Sequence, residues 1–139
     1  MPRTIRLLTL CVATLVLSPL WAQSPPTQNP APDPSSVPVI DGGAGPCSAD
    51  FTVIDSNQAA VYNAKISVHI AYGFGGFRKL DLQVGTNSNG KARFTGLPSR
   101  TKDGLFFQAV KGDAQGSAFV DPAKNCNATM TIELEKKAP

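Results

Sequence analysis

His69, the one histidine of the chain, is the natural candidate for acid–base chemistry, because imidazole titrates near neutral pH. Ser67 lies two residues earlier, so the two side chains would share one face of an extended strand and could touch. A hydrolytic triad also needs an oriented acid and an oxyanion hole, and the sequence offers no obvious acidic partner and no Gly-x-Ser-x-Gly motif. The sequence therefore favours a solvated histidine and predicts no catalytic residue.

Binding chemistry is concentrated in Tyr72–Lys79, with the sequence YGFGGFRK, which we call the aromatic–glycine loop. Three aromatic residues alternate with three glycines, and two cations follow. Aromatic rings stack on sugars or peptides, and glycine lets a backbone approach a ligand closely. The sequence therefore predicts four candidate ligand contacts: Tyr72, Phe74, Phe77 and Arg78. The alternative is a glycine-rich hairpin whose rings cap one end of the core.

The first 22 residues predict a signal peptide. Arg3 and Arg6 supply a positive start, Leu7–Leu17 is apolar apart from two threonines, and Ala22 is the small residue expected beside a cleavage site. The alternative is an uncleaved membrane anchor, but an apolar run of about a dozen residues is well short of the roughly 20 that span a bilayer. We therefore expect export to the periplasm, cell surface or extracellular space, with no stable membrane insertion after cleavage.

The charge of the chain depends on that cleavage. The whole chain carries +3, but without Arg3 and Arg6 eleven Lys and Arg residues face ten Asp and Glu residues, a net charge of +1 for residues 23–139. So small a net charge creates no field that would gather nucleic acid or anionic lipid. The sequence therefore predicts no nucleic-acid partner.

Cleavage would also remove Cys11 and leave Cys47 and Cys126. Two cysteines in an exported chain predict a disulfide, and closing a loop of about 80 residues is worth roughly 4 kcal/mol in the chain-entropy account. The alternative is two unpaired buried thiols. Two cysteines and one histidine do not complete a zinc site without carboxylates, so we predict no metal and no cofactor.

Residues 23–46 predict a disordered, proline-rich linker. The segment has hardly an apolar residue to bury and contains seven prolines: Pro25, Pro26, Pro30, Pro32, Pro34, Pro38 and Pro46. Proline fixes φ and removes a backbone donor, so such a segment favours extended polyproline II at about 3.1 Å per residue. Too few apolar side chains remain to offset the entropy of ordering. We expect a spacer; a proline-rich ligand motif is the alternative.

Residues 47–135 predict one all-β domain, followed by a C-terminal tail at 136–139. Side chains alternate with a period of two; Ile66, Val68 and Ile70 point one way while the residues between them point the other. Seven short runs of this kind, separated by turn signals, predict a seven-stranded antiparallel Greek-key β-sandwich. Because one cysteine precedes the first strand and the other precedes the last, a disulfide would place those two strands close together, running the same way.

Two segments carry a resemblance to a known group of sandwiches. Residues 51–68, FTVIDSNQAAVYNAKISV, predict a strand, a turn and a second strand. Residues 84–98, VGTNSNGKARFTGLP, predict a strand end, an Asn-Gly turn, a short strand and a Gly-Leu-Pro exit. Through these segments, and Thr86–Pro98 in particular, the domain resembles the transthyretin-like group that includes carboxypeptidase regulatory-like domains and Cna-B-type repeats. The resemblance implies a prealbumin-like sandwich.

The resemblance implies no particular activity, because the matching residues are turn and core positions. Hydroxyisourate hydrolases of the group use His and Arg residues and end in Tyr-Arg-Gly-Ser, whereas this chain has one histidine and ends in Glu-Lys-Lys-Ala-Pro. We therefore expect a protein that is not an enzyme, an envelope-associated binding or accessory module whose partner is a carbohydrate or an envelope protein. The alternatives are a purely structural spacer domain and, least favoured, a small hydrolase centred on His69.

Overall fold

A computed structural model describes residues 33–138, and within them the chain forms two β-sheets packed face to face. The elements, in chain order, are β1 (Val39–Asp41), β2 (Cys47–Ile54), β3 (Lys65–Tyr72), a 3-10 turn (Phe74–Gly76), β4 (Arg78–Gly85), β5 (Lys91–Leu97), β6 (Leu105–Lys111), β7 (Ala114–Val120), β8 (Asn127–Glu133) and β9 (Glu135–Lys136). The first sheet has the order β1-β5-β2-β8 and the second the order β4-β3-β6-β7-β9. The predicted β-sandwich is confirmed, and its seven strands are β2 to β8. The predicted signal peptide lies outside the described residues.

The core between the sheets is built from the buried positions of the alternating strands. At its centre are three phenylalanine rings, Phe51 and Phe94 from the first sheet and Phe107 from the second, each at most 1% exposed. Their centroids are 4.5 to 5.7 Å apart, within the range of favourable edge-to-face and tilted aromatic pairs. These rings join the two layers of the sandwich directly.

The disulfide between Cys47 and Cys126 is present, with the two Cα atoms 4.6 Å apart. Strands β2 and β8 pair in parallel from Ser48 opposite Asn127 onward, so the first and last of the predicted strands are neighbours that run the same way, as expected. The backbone N–H of Ser48 donates to the carbonyl oxygen of Cys126 over 2.7 Å. The cross-link thus lies at the start of a continuous parallel ladder.

Part of the range predicted as linker is ordered against the sandwich. Strand β1 pairs in parallel with β5, Val39 opposite Arg93, and the side chain of Ile40 packs against the core. The backbone N–H of Arg93 also donates to the carbonyl oxygen of Pro38 over 2.9 Å. The apolar residues next to Pro38, few as they are, suffice to cover the free edge of β5. Residues 23–32 of the predicted linker lie outside the described residues.

Thr86 and Asn87, at the start of the segment that carries the resemblance, are buried polar residues that tie separate loops together. The Thr86 hydroxyl accepts from the backbone N–H of Ala64 and donates to the carbonyl oxygen of Val61. The Asn87 side chain accepts from two backbone N–H groups of its own turn and donates to the carbonyl oxygen of Ser35. Both side chains are only 3% exposed, so their bonding avoids the cost of burying unsatisfied polar groups. These contacts give the motif a structural role.

Gly90 has the positive φ predicted for the Asn-Gly turn, with φ of 72°. A Cβ atom here would lie 2.4 Å from the carbonyl oxygen of Val53, which itself belongs to the buried strand β2. We expect Gly90→Ala to lower the free energy of unfolding by about 3 kcal/mol, since the left-handed backbone strain and the steric conflict add. Urea denaturation measures this loss.

Gly112→Ala is the matched control for this prediction. Gly112 has a similar φ of 58°, but nothing lies within 4 Å of the Cβ position. This variant carries the backbone strain alone and is expected to cost about 1 kcal/mol. Equal losses in the two variants would contradict the steric argument.

Candidate functional site

The aromatic–glycine loop forms the hairpin connection between β3 and β4. Its ends overlap the two strands, where Tyr72 pairs with Arg78. Its three glycines all have positive φ, between 64° and 78°, a conformation that other residues adopt only with strain. Within the loop, the backbone N–H of Phe77 donates to the carbonyl oxygen of Phe74. A Cβ atom on Gly75 would lie 2.9 Å from the Phe77 ring, so this glycine makes room for that ring above the turn.

The rings of the aromatic–glycine loop divide into one that packs and two that do not. Tyr72 is half-buried and packs against the core, as the capping alternative requires. Phe74 and Phe77 are 95% and 84% exposed, and Arg78 is exposed beside them. Capping therefore describes Tyr72 only, and the other three candidate contacts are accessible to a partner.

A second accessible surface lies on the solvent-facing side of the second sheet. It is an open depression of about 600 Å³, which we call the outer groove; it is lined by side chains that include Ser67, His69, Asp81, Gln83, Phe106, Gln108 and Ser117. Strands β3, β4, β6 and β7 each contribute residues from the face opposite the core. A volume of this size is within the usual range for ligand sites.

Four uncharged polar side chains form a row across the outer groove. Strand register places Gln83 opposite Ser67, Ser67 opposite Gln108, and Gln108 opposite Ser117. Within residues 33–138 none of these four side chains makes a hydrogen bond to another protein group. Two amides and two hydroxyls therefore present donors and acceptors that are available to a ligand.

An aromatic pair adjoins this row. Phe106 on β6 lies opposite Phe119 on β7, with ring centroids 5.1 Å apart and an angle of 56° between the ring planes. Phe106 is 66% exposed and Phe119 is 47% exposed, although neither is needed to close the core. This pair was not predicted from the sequence, although the period of two contained a signal for it: the residues on both sides of Phe106 are buried, which places the Phe106 ring on the outer face.

His69 is on the exposed face of β3, as the sequence predicts, but it has an acidic partner that the sequence did not reveal. Asp81 lies opposite on β4, and His69 Nδ1 is 2.5 Å from Asp81 Oδ1. With the proton on Nδ1, the imidazole would present Nε2 as an acceptor or base. Both side chains are largely exposed, and within the described residues no hydroxyl is hydrogen-bonded to His69. The pair can orient a ligand hydroxyl, whereas the hydroxyl–imidazole contact of a hydrolytic triad is missing here.

The described residues also bear on metal and membrane sites. No group of three or more His, Cys, Asp or Glu side chains between residues 33 and 138 is placed to hold a metal ion. Over the same span no helix has the length and apolar character needed to cross a membrane.

Comparison with known proteins gave structural neighbours only. No protein-family model matches the chain, and no curated relative matches it. Among solved structures, the chain is similar to BcpA, the major pilin subunit of Bacillus cereus, with 16% identity over 67% of this chain and 31% of that chain and a TM-score of 0.43. It is also similar to 3-chlorocatechol 1,2-dioxygenase from Rhodococcus opacus 1CP, with 13% identity over 73% and 64% of the two chains and a TM-score of 0.46.

A catechol 1,2-dioxygenase from Acinetobacter sp. ADP1 gives a comparable result, with 10% identity, coverage of 74% and 60%, and a TM-score of 0.45. The chain spans less than two thirds of the length of each of these three structures. The presence of dioxygenases among the neighbours contradicts the prediction that this protein is not an enzyme, and that prediction is withdrawn. Likenesses with TM-scores below 0.5 assign no reaction to the chain.

Proposed function

We propose that this chain is an exported sandwich of the transthyretin-like, carboxypeptidase regulatory-like (Cna-B-type) group, acting as an accessory module of the cell envelope that binds neutral saccharides in the outer groove. The observation that carries the proposal is a row of two amides and two hydroxyls beside an exposed aromatic pair; none of the four makes a hydrogen bond to another protein group within residues 33–138. The disulfide supports export, because such cross-links persist in oxidising compartments.

The chemistry of the outer groove matches that of a sugar. A sugar ring has a face of C–H groups, which packs on aromatic rings, and an edge of hydroxyls, which both donate and accept hydrogen bonds. Gln83 and Gln108 offer an acceptor and two donors each, so either amide can engage two neighbouring hydroxyls. The ionisable side chains lining the groove are Asp81 and His69, and they contact each other, so the lining offers an ionic ligand no free counter-charge and a neutral ligand fits better.

We expect Phe106→Ala to weaken saccharide binding about tenfold, or about 1.4 kcal/mol, through loss of ring contact, and Gln108→Ala about fivefold through loss of amide hydrogen bonds. Calorimetric titration with soluble oligosaccharides of glucose, N-acetylglucosamine and mannose measures both changes. Tyr62→Ala is the matched control, because Tyr62 is 56% exposed but does not line the groove. Its affinity should equal that of the wild type.

The same titrations separate this proposal from the spacer hypothesis. A structural spacer tolerates both groove substitutions and binds none of the oligosaccharides. Absence of binding to all three sugars, or binding that Phe106→Ala and Gln108→Ala leave unchanged, would refute the outer groove as a saccharide site.

A further inference from the structure

We propose that the end of the sandwich carrying the aromatic–glycine loop docks peripherally on an anionic lipid surface. In this arrangement the rings of Phe74 and Phe77 enter the interface, and four cations contact the headgroup phosphates: Arg78, Lys79, Arg100 and Lys102. This docking surface lies outside the outer groove, and docking on lipid does not depend on saccharide binding.

The two phenylalanine rings are the most exposed large apolar side chains of the described residues. Phe74 begins the 3-10 turn at the tip of the hairpin and Phe77 directly follows that turn, and within the described residues the two rings do not form an aromatic pair with each other. A tip of this kind presents two separate apolar points and lacks the flat platform that would stack on a sugar ring. Such points gain free energy by leaving water for the apolar boundary beneath lipid headgroups.

The cations surround the base of the same tip. Arg78 and Lys79 end the aromatic–glycine loop and begin β4. Arg100 and Lys102 flank Thr101, which bridges to the last residue of β3. Arg100 and Lys102, together with Thr101 and the three loop glycines, line a depression of about 380 Å³. None of the four cations forms a salt bridge within residues 33–138. Their charge is therefore available to phosphate groups.

The net charge of the chain does not reveal this local concentration of positive charge. A balance of +1 gives no long-range field, but a lipid headgroup layer responds to charges within a Debye length of its surface, roughly 8 to 10 Å. Four cations around two apolar rings match a layer that is anionic at the phosphates and apolar just beneath them. The combination favours a bilayer surface over a soluble polyanion, which would leave the rings in water.

The test compares binding to vesicles of phosphatidylcholine alone and of phosphatidylcholine with about one third phosphatidylglycerol. The chain used throughout begins at residue 23, the form expected after cleavage of the predicted signal peptide, so that Arg3, Arg6 and Leu7–Leu17 do not themselves bind the vesicles. We expect wild type to prefer the anionic vesicles, and the double variant Phe74→Ser, Phe77→Ser to lower the partition coefficient at least about tenfold. The matched control is Tyr62→Ser, an exposed aromatic residue outside the loop, which should leave the coefficient unchanged.

Charge variants test the second half of the proposal. Arg78→Gln and Arg100→Gln are each expected to reduce partition into anionic vesicles about fivefold. Lys111 and Lys136 lie at the opposite end of the second sheet, so Lys111→Gln and Lys136→Gln should leave the partition coefficient unchanged. Equal binding to both vesicle types, or undiminished binding by the phenylalanine double variant, would overturn the proposal. Retention on dextran sulfate that survives the phenylalanine substitutions, without vesicle binding, would overturn it in favour of a polyanion site.

Discussion

The double variant Cys47→Ala, Cys126→Ala is expected to unfold with a free energy about 4 kcal/mol below that of the oxidised wild type. The disulfide joins residues 79 apart in the sequence, and a loop of that length restricts the unfolded chain strongly in the chain-entropy account. A small domain has a total stability of only about 5 to 15 kcal/mol, so this loss is a large fraction of it. The thermal midpoint should fall by about 20 °C.

Urea denaturation of three samples separates the cross-link from the side chains: oxidised wild type, wild type reduced with dithiothreitol, and the double alanine variant. Cys47 is 2% exposed and packs in the core, so its replacement by alanine also removes a buried sulfur atom. Reduced wild type should therefore show most of the expected loss of about 4 kcal/mol, and the alanine variant a slightly larger loss. Coincident urea midpoints for oxidised and reduced wild type would show that the disulfide contributes nothing to stability.

Phe107→Ala is expected to lower the free energy of unfolding by about 3 to 5 kcal/mol. Its ring is fully buried and touches both other phenylalanines of the core, with centroid distances of 4.5 Å to Phe51 and 5.0 Å to Phe94. Because Phe107 belongs to the second sheet and its two partners to the first, its removal opens a cavity between the layers. The surrounding strands, held by their hydrogen bonds, can close that cavity only in part.

Phe106→Ala is the control, since it removes the same side chain one residue away on the same strand. The Phe106 ring faces solvent and touches Phe119, so its loss should change stability by about 0.5 kcal/mol or less. Guanidinium denaturation followed by far-ultraviolet circular dichroism measures both variants. Similar losses for the two substitutions would contradict the assignment of inner and outer faces on β6.

Local patterns were sufficient to predict most of the sandwich. The alternation that predicts a buried face for Ile66, Val68 and Ile70 depends only on neighbours two residues apart, and all three are buried. Phe94 and Leu97 of the resembling segment lie in the core for the same reason. Strand β1 escaped prediction because three residues among prolines carry too short a pattern, and its pairing depends on a free edge that β5 offers.

The sequence by itself determined which segments are strands and which side chains each strand turns inward, because these properties follow from backbone geometry over a few residues. Only the tertiary structure decided which outward side chains become neighbours. His69 meets Asp81, and Phe106 meets Phe119, because backbone hydrogen bonds between strands set their register, and that register depends on contacts distant in sequence. The grouping of cations at the aromatic–glycine loop arises in the same way, since Arg100 approaches that loop only when the strands pair. Both proposed binding surfaces are therefore products of register.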